Sequence, residues 1–255
     1  MNVIFDDIGV LSLAMLIFAS FLTSMVHGAT GIAGGFLLAA VAAPFLGLQS
    51  LVPVLSITLL ISHSARAFFN FTQIDWQAYV RLVIPAVPFI IAASLIYGRL
   101  SNASIALLLG TIVLLSIPIR RWAKSSNIRT TNPMLTVAGF IYGAISGVSI
   151  GPGMLLMPVL LGYGLNRQAF VATLAAIALT TNVVRGTVYG LSDLLNSQTV
   201  LLGMLLGLAT IPGTWIGRGV LRRLTDAKHI VLVECLLVLG GLNFFWMAYR
   251  YISAG

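Results

Sequence analysis

Charged residues and cysteine are scarce in this chain. Of its 255 residues only 8% are charged and 59% are hydrophobic, whereas about a quarter of the residues in an ordinary soluble domain are charged. The mean hydropathy is +1.04, so the composition excludes a soluble globular domain and indicates an integral membrane protein. The single cysteine, Cys235, excludes an internal disulfide. Because it lies in an apolar run, we expect it to be buried and unreactive.

Acidic residues and histidines are also few. There are six acids, among them one glutamate, Glu234, and three histidines that lie far apart in the sequence. They form no spacing typical of a metal site, so we expect neither a metal nor another cofactor. No Gly-Lys-Ser/Thr phosphate loop, no His-Glu-x-x-His pair and no set of acid, base and nucleophile is apparent. The sequence therefore argues against an enzyme and against ATP hydrolysis as an energy source.

Apolar runs follow one another along the chain with only short polar breaks between them. A helix needs roughly 17 to 25 predominantly apolar residues to cross a hydrocarbon core of about 30 Å. We predict ten segments, at residues 9–27, 31–47, 50–70, 76–97, 104–122, 134–148, 152–164, 168–190, 197–218 and 229–250. The predicted fold class is therefore an all-α polytopic membrane protein.

Basic residues cluster at the ends of these segments, which is the pattern of orientation signals. The two strongest clusters contain Arg120, Arg121, Lys124 and Arg129, and Arg218, Arg222, Arg223 and Lys228. With both clusters in the cytoplasm, ten segments place both termini on the extracytoplasmic side. Because the basic residues form no surface stripe, we expect contact with membrane lipid and none with nucleic acid.

The two halves of the sequence resemble each other. RLSNASIALLLG from Arg99 aligns with RLTDAKHIVLVE from Arg223, GIAGGFLLAAVAAP from Gly31 with GVSIGPGMLLMP from Gly147, and SHSARAFFNF from Ser62 with TNVVRGTVYG from Thr181. The matches fall in one order, which indicates an internal repeat. Five segments per half is an odd number, so the second copy is expected to be inverted. We predict a first repeat at residues 1–123, a basic cytoplasmic linker at 124–133 and a second repeat at 134–255.

Two matching segments, 31–47 and 152–164, are short and interrupted by glycine or proline. Such segments point to a transport site near mid-membrane, because the free N–H groups where a helix begins attract an anion. We expect a site lined by Gly31, Gly34, Gly35, Ser149, Gly151 and Gly153, with Gly147 also facing inward. Close helix packing through small residues is the alternative role of these glycines. Full crossings and re-entrant hairpins both remain open for residues 9–47 and 134–164.

Arg66 and Arg185 occupy matching positions in the two halves. A buried arginine in lipid costs roughly 3 kcal/mol or more unless it faces a cavity or a partner. Each therefore either snorkels to the interface or lines the transport pathway. On the second reading an oxyanion would bind the two guanidinium groups, with polar contacts from Ser62, His63, Thr180, Thr181 and Asn182. For Glu234 we expect snorkelling or a pairing with a basic residue, and for Asp75 and Asp193 either a solvated position or a capping role.

The glycine breaks, each followed by a proline, resemble the sulfite exporter TauE/SafE family, also called the toluene sulfonate uptake permease family. The similar stretches are GATGIAGGFLLAAVAAP, GAISGVSIGPGMLLMP, FTQIDW and YGLSDLL, and the likeness covers nearly the whole chain. Ala33 stands before Gly34 and Gly35, where the family usually has three glycines. The resemblance implies a bacterial inner-membrane carrier for sulfite, sulfonates or related sulfur-containing anions.

On this basis we expect a secondary transporter that exports such an anion by alternating access. One charge crossing 100 mV is worth about 2.3 kcal/mol, so an inside-negative membrane expels an anion without a coupled ion. An anion channel with the same lining is one alternative, and a membrane assembly factor that only binds a partner is another. The small-residue run from Gly203 would pack helices either within the fold or between two copies, as a homodimer.

Overall fold

The computed structural model describes residues 8–30, 33–125, 129–220 and 226–253, and these residues are helical apart from short connections. Ten α-helices lie in the described ranges: α1 (Val10–Thr30), α2 (Gly34–Leu46), α3 (Leu48–Phe69), α4 (Trp76–Tyr97), α5 (Asn102–Ser125), α6 (Asn132–Ser146), α7 (Gly153–Gly162), α8 (Arg167–Leu191), α9 (Ser197–Val220) and α10 (Asp226–Ser253). A 3₁₀ turn, Phe71–Gln73, joins α3 to α4. The predicted all-α class is confirmed, and the ten helices coincide with the ten predicted segments to within a few residues at each end.

Seven of the described helices are long and apolar enough to cross a membrane. The candidate spans are Val10–Gly28, Leu48–Phe69, Trp76–Tyr97, Asn102–Ile119, Gln168–Leu191, Ser197–Gly217 and Glu234–Ser253. The other three helices are shorter, with 13 residues in α2, 15 in α6 and 10 in α7. A ten-residue helix rises only about 15 Å, half the thickness of the hydrocarbon core.

Side-chain caps and a glycine determine where several helices begin or end. The Asp75 carboxylate accepts a hydrogen bond from the Ala78 amide at 2.9 Å, so Asp75 has the capping role, one of the two roles expected for it, at the start of α4. Asn166 caps α8 in the same way by accepting from the amides of Gln168 and Ala169. Gly47 separates α2 from α3 with a φ of +71°, in the left-handed region that glycine enters readily.

The helices pack mainly across the two halves of the sequence. In the described part of the chain α1 packs against α9, α6 against α4, α3 against α8 and α9, α8 against α4, and α10 against α5 and α2. α2 also contacts α1 and α3, and α7 contacts α5, α6 and α8. The buried apolar residues of these helices form one large core cluster.

Glycines allow the closest of these approaches. A Cβ atom added at Gly203 would lie 2.8 Å from Ile57 Cβ of α3, and one at Gly217 would lie 2.6 Å from Met25 Cα of α1. The Thr58 hydroxyl donates to the Gly203 carbonyl across the α3–α9 contact at 3.1 Å. The small-residue run from Gly203 therefore packs α9 within the fold, which is the first of its two predicted uses.

We expect Gly143→Val to destabilise the protein strongly. A Cβ atom at Gly143 would lie 2.9 Å from Ala86 Cα, so the backbones of α6 and α4 would have to separate. Overpacking of this kind costs about 1–3 kcal/mol, and the melting temperature of the detergent-solubilised protein should fall measurably. Gly190→Val is the matched control, because Gly190 is exposed and has no atom within 4 Å of its added Cβ. Equal melting temperatures for the two variants would contradict the close α4–α6 contact.

Candidate functional site

The junction between α6 and α7 is non-helical and is built around small residues. α6 ends at Ser146 and α7 begins at Gly153, and Gly151 between them has a φ of +85° that favours glycine. A Cβ atom at Gly151 would lie 3.2 Å from Phe36 Cβ, and one at Gly153 would lie 3.2 Å from Leu174 Cδ1. Side chains larger than hydrogen at these positions would fill the space between α7, α2 and α8.

The corresponding junction between α1 and α2 is only partly described. α1 ends at Thr30 and α2 begins at Gly34, while Gly31 lies outside the described residues. Gly34 and Gly35 are buried. An added Cβ at Gly34 would lie 2.9 Å from His27 Cγ, and one at Gly35 would lie 3.1 Å from the Leu59 methyl groups. Both glycines therefore let α2 approach α1 and α3 closely.

A cavity of about 50 Å³ lies where these junctions meet α3 and α8. Among the predicted site residues it is lined by Gly35, His63, Gly151, Gly153, Thr181, Asn182 and Arg185. Its wall also includes His27, Tyr142 and Ser146, which were not predicted. The volume holds a few water molecules or a small ion, and both halves of the sequence contribute to the wall.

The other predicted residues lie nearby but do not line this cavity. Ser62 and Gly34 border a smaller cavity of about 10 Å³ next to His27. Thr180 shares a hydrogen bond of 2.7 Å with the Tyr79 hydroxyl. The Ser149 side chain donates to the Ile145 carbonyl at 2.7 Å, so its hydroxyl is already committed to α6.

Arg185 ties α8 to the α6–α7 junction. Its side chain is 2% exposed. Nη1 donates to the carbonyls of Ser146 and Ser149 at 3.1 and 2.6 Å, and Nη2 donates to Asn182 Oδ1 at 2.6 Å. Nε is buried and has no hydrogen-bond partner among the residues that the structure describes. Over the described ranges no carboxylate forms a salt bridge with Arg185, so an uncompensated positive charge stands at the cavity wall.

Arg66 is also buried, at 5% exposure. It does not line this cavity and instead borders a separate cavity of about 270 Å³ next to Trp215. Its Nη1 lies 2.5 Å from His27 Nε2, and the rings of His27 and His63 meet edge to face with centroids 5.2 Å apart. Both arginine side chains are thus packed inside the helical bundle and do not extend to its surface as snorkelling requires. Sequence reasoning missed His27 because it is 39 residues from Arg66 and shares no helix with it.

Gly147 is buried and faces inward as expected, but it packs against α4 and is not part of the cavity wall. A Cβ atom there would lie 2.5 Å from Ala93 Cβ and 2.8 Å from the Ser94 amide nitrogen, in contact with α4. Its carbonyl accepts hydrogen bonds from the Tyr189 hydroxyl at 2.6 Å and from Ser94 at 3.3 Å. Gly147 therefore serves close helix packing, which was the alternative role for these glycines.

Two residues of α10 that we singled out lie away from the cavity. Glu234 pairs with Arg121 of α5, which confirms the predicted basic partner. The hydrogen bond and negative charge of Glu234 raise the pKa of the Arg121 guanidinium.

Cys235 is exposed, so the expectation of a buried thiol was wrong. An apolar run in a membrane protein also covers the surface that faces lipid.

Residues Gly147–Gly151 have the Gly-x-Ser-x-Gly spacing of the hydrolase nucleophile elbow. That motif acts on a strand-to-helix turn, whereas this run joins two helices and no described residue is in a strand. Ser149 lies beside the Arg185 guanidinium, whose Nη1 donates to the Ser149 carbonyl. A guanidinium cannot serve as a general base, so this run shares only the spacing of the motif.

Comparison with known proteins agrees with this membrane architecture. The family model described as "Sulfite exporter TauE/SafE" matches residues 16–244, a range that includes eight of the ten described helices in full, most of α1 and α10, and every residue of the cavity wall. Comparison with curated proteins and with solved structures gives no significant match. The matched range covers most of the 255 residues, and the chain therefore belongs to the sulfite exporter TauE/SafE family.

Proposed function

We propose that this multi-pass membrane transporter exports sulfite or a related small organosulfur anion from the cytoplasm across the bacterial inner membrane. The observation that carries the proposal is the positive charge of Arg185 at the wall of the cavity, with no carboxylate of the described residues beside it. A buried charge is costly unless it is paired. A bound oxyanion would supply the missing charge and accept hydrogen bonds from a guanidinium.

The inverted repeat is supported by matching contacts in the two halves. Arg66 contacts His27, and Arg185 contacts Ser146, and in each pair the partner precedes the arginine by 39 residues. Gly34 and Gly153 begin the next helices, α2 and α7. These equivalent positions agree with a duplicated five-helix unit.

Helix packing supports the same arrangement. If the halves are repeats, each helix of the first half corresponds to the helix five places later in the second, as α1 corresponds to α6. Each contact between halves should then have a counterpart. The α1–α9 contact has its counterpart in α4–α6, α2–α10 in α5–α7, and α3–α9 in α4–α8. The α3–α8 and α5–α10 contacts map onto themselves. Two halves related by a two-fold axis give this pattern, and five helices per half give the copies opposite orientations in the membrane.

The position of the cavity supports alternating access as the mechanism. Its wall is divided between residues of the first half, such as His63, and residues of the second, such as Arg185. Rocking one half against the other along the α3–α8 contact would open the cavity first to one side and then to the other. An inside-negative potential then drives the anion outward, at about 2.3 kcal/mol per charge for 100 mV.

Proteoliposomes test this proposal. Purified protein is reconstituted with sulfite inside, and efflux is measured under an imposed potential, with a small alkane sulfonate as a second substrate. We expect saturable efflux and counterflow of labelled sulfite. Large non-saturating currents without counterflow would show a channel instead. No flux of either anion would contradict transport and favour a partner-binding assembly factor.

A further inference from the structure

His27 lies between Arg66 and the cavity, although no sequence pattern assigned it a role. Its side chain is 5% exposed, and it borders both the 50 Å³ cavity and the smaller one beside Ser62. We infer that His27 is a further anion ligand, which donates a hydrogen bond from Nδ1, and that Arg66 is a positioning residue acting through it. This inference rests on the proposed function of the same cavity.

The contact with Arg66 fixes which nitrogen of His27 carries the proton. An arginine side chain has only donors, so the nitrogen that receives its N–H must have a free lone pair. Nε2 is that nitrogen, at 2.5 Å from Arg66 Nη1. A neutral imidazole has one N–H, and with Nε2 as the acceptor this N–H is on Nδ1. Arg66 thereby holds His27 in the tautomer that presents a donor at Nδ1.

His27 Nδ1 is buried and has no hydrogen-bond partner in the described structure. Leaving a buried donor without an acceptor is unfavourable, so this nitrogen favours an acceptor placed in the cavity. Arg185 Nε is a second buried donor without a partner, and His63 Nδ1 is a third nitrogen in the same condition. All three residues line the one cavity.

An oxyanion satisfies these groups together. Its oxygens accept several hydrogen bonds at once, and the donors come from α1 in the first half and α8 in the second. Ser146 occupies the position in the second half that corresponds to His27. Arg185 donates to the backbone carbonyl of Ser146, whereas Arg66 contacts the ring of His27. A histidine at this position is therefore present in the first half alone, and the anion would be held by the charged Arg185 guanidinium, the neutral His27 ring and, where its Nδ1 carries the proton, the His63 ring.

His27→Gln and His27→Asn separate the two nitrogens of the ring. A glutamine amide reaches the Nε2 position, so H27Q keeps an acceptor for Arg66 and loses the donor at Nδ1. An asparagine amide lies near the Nδ1 position, so H27N keeps the donor. We measure the sulfite concentration for half-maximal flux in proteoliposomes and the shift in melting temperature on adding sulfite to monodisperse protein. H27Q should weaken binding about tenfold to a hundredfold, and H27N only a few-fold.

The outcomes separate this inference from the proposed function. Wild-type flux with unchanged binding in H27Q would overturn the inference while leaving transport intact. Equal weakening in H27Q and H27N would also overturn it, because a packing role is indifferent to which nitrogen is replaced. Absence of flux in the wild type would instead overturn the proposed function, and the ligand role of His27 with it. Selective weakening in H27Q supports the inference.

Discussion

Arg185→Ala is expected to abolish sulfite transport. The substitution removes the charge at the cavity wall and leaves two carbonyls, of Ser146 and Ser149, without their donor. A hydrogen bond to a charged group contributes about 1.5–3 kcal/mol, and the charge attraction is lost as well. We expect sulfite affinity to fall about a hundredfold or more, measured by flux in proteoliposomes and by the sulfite-induced shift in melting temperature.

Arg185→Lys distinguishes charge from geometry. Lysine keeps the positive charge, but it lacks the planar fork that reaches both carbonyls and Asn182 at once. R185K should therefore retain measurable sulfite binding while melting at a lower temperature than the wild type. Arg250→Ala, at an exposed position near the end of α10, is the control for loss of one basic residue. Wild-type flux in R185A would rule out this arginine as the anion ligand.

Gly153→Leu is expected to block the cavity while leaving the fold in place. A Cβ atom at Gly153 lies 3.2 Å from Leu174 Cδ1, the flexible end of a side chain that can move aside. The rest of a leucine side chain would occupy a large part of a 50 Å³ space. We expect flux to fall about a hundredfold or more and sulfite to give no shift in melting temperature.

Two further variants test whether the loss of flux in Gly153→Leu comes from the bulk of the leucine at that position. Gly153→Ala adds only the Cβ atom, so it should retain part of the flux. Gly190→Leu on α8 has no atom within 4 Å of its Cβ and should transport like the wild type. Full transport by G153L would mean that the anion does not pass between α7 and α8.

Much of the fold could be predicted from the sequence because the bilayer imposes simple rules. Apolar length marks each helix, and the short runs 31–47 and 152–164 became the short helices α2 and α7. The roles that Asp75 and Glu234 have, as a cap and as half of an ion pair, were each one of two alternatives, since isolated acids in apolar segments need either water or a nearby partner.

The candidate site was predicted in part. Arg185, Asn182 and Thr181 lie together on α8, so helical periodicity places them on one surface. His27 was missed because it meets Arg66 only through the packing of α1 against neighbouring helices. Gly147 and Gly151 look alike in sequence, yet one packs against α4 and the other adjoins the cavity. Which surface a glycine presents is decided by tertiary contacts.

Burial was the least predictable property. In a soluble protein an apolar run indicates the core, but a membrane protein also has apolar residues on its outer surface. Leu191 and Trp215 are 83% and 75% exposed, and Cys235 belongs to the same kind of surface. Composition alone does not separate residues that face lipid from residues that face the core.

Equilibrium binding of radiolabelled sulfite to the purified protein tests the central claim most directly. If an anion is held in the cavity at Arg185, the wild type should bind sulfite saturably at one site per chain. Arg185→Ala and Gly153→Leu should each remove that binding, whereas Gly190→Leu should keep it. Saturable binding that survives in both R185A and G153L would contradict a site between the two halves.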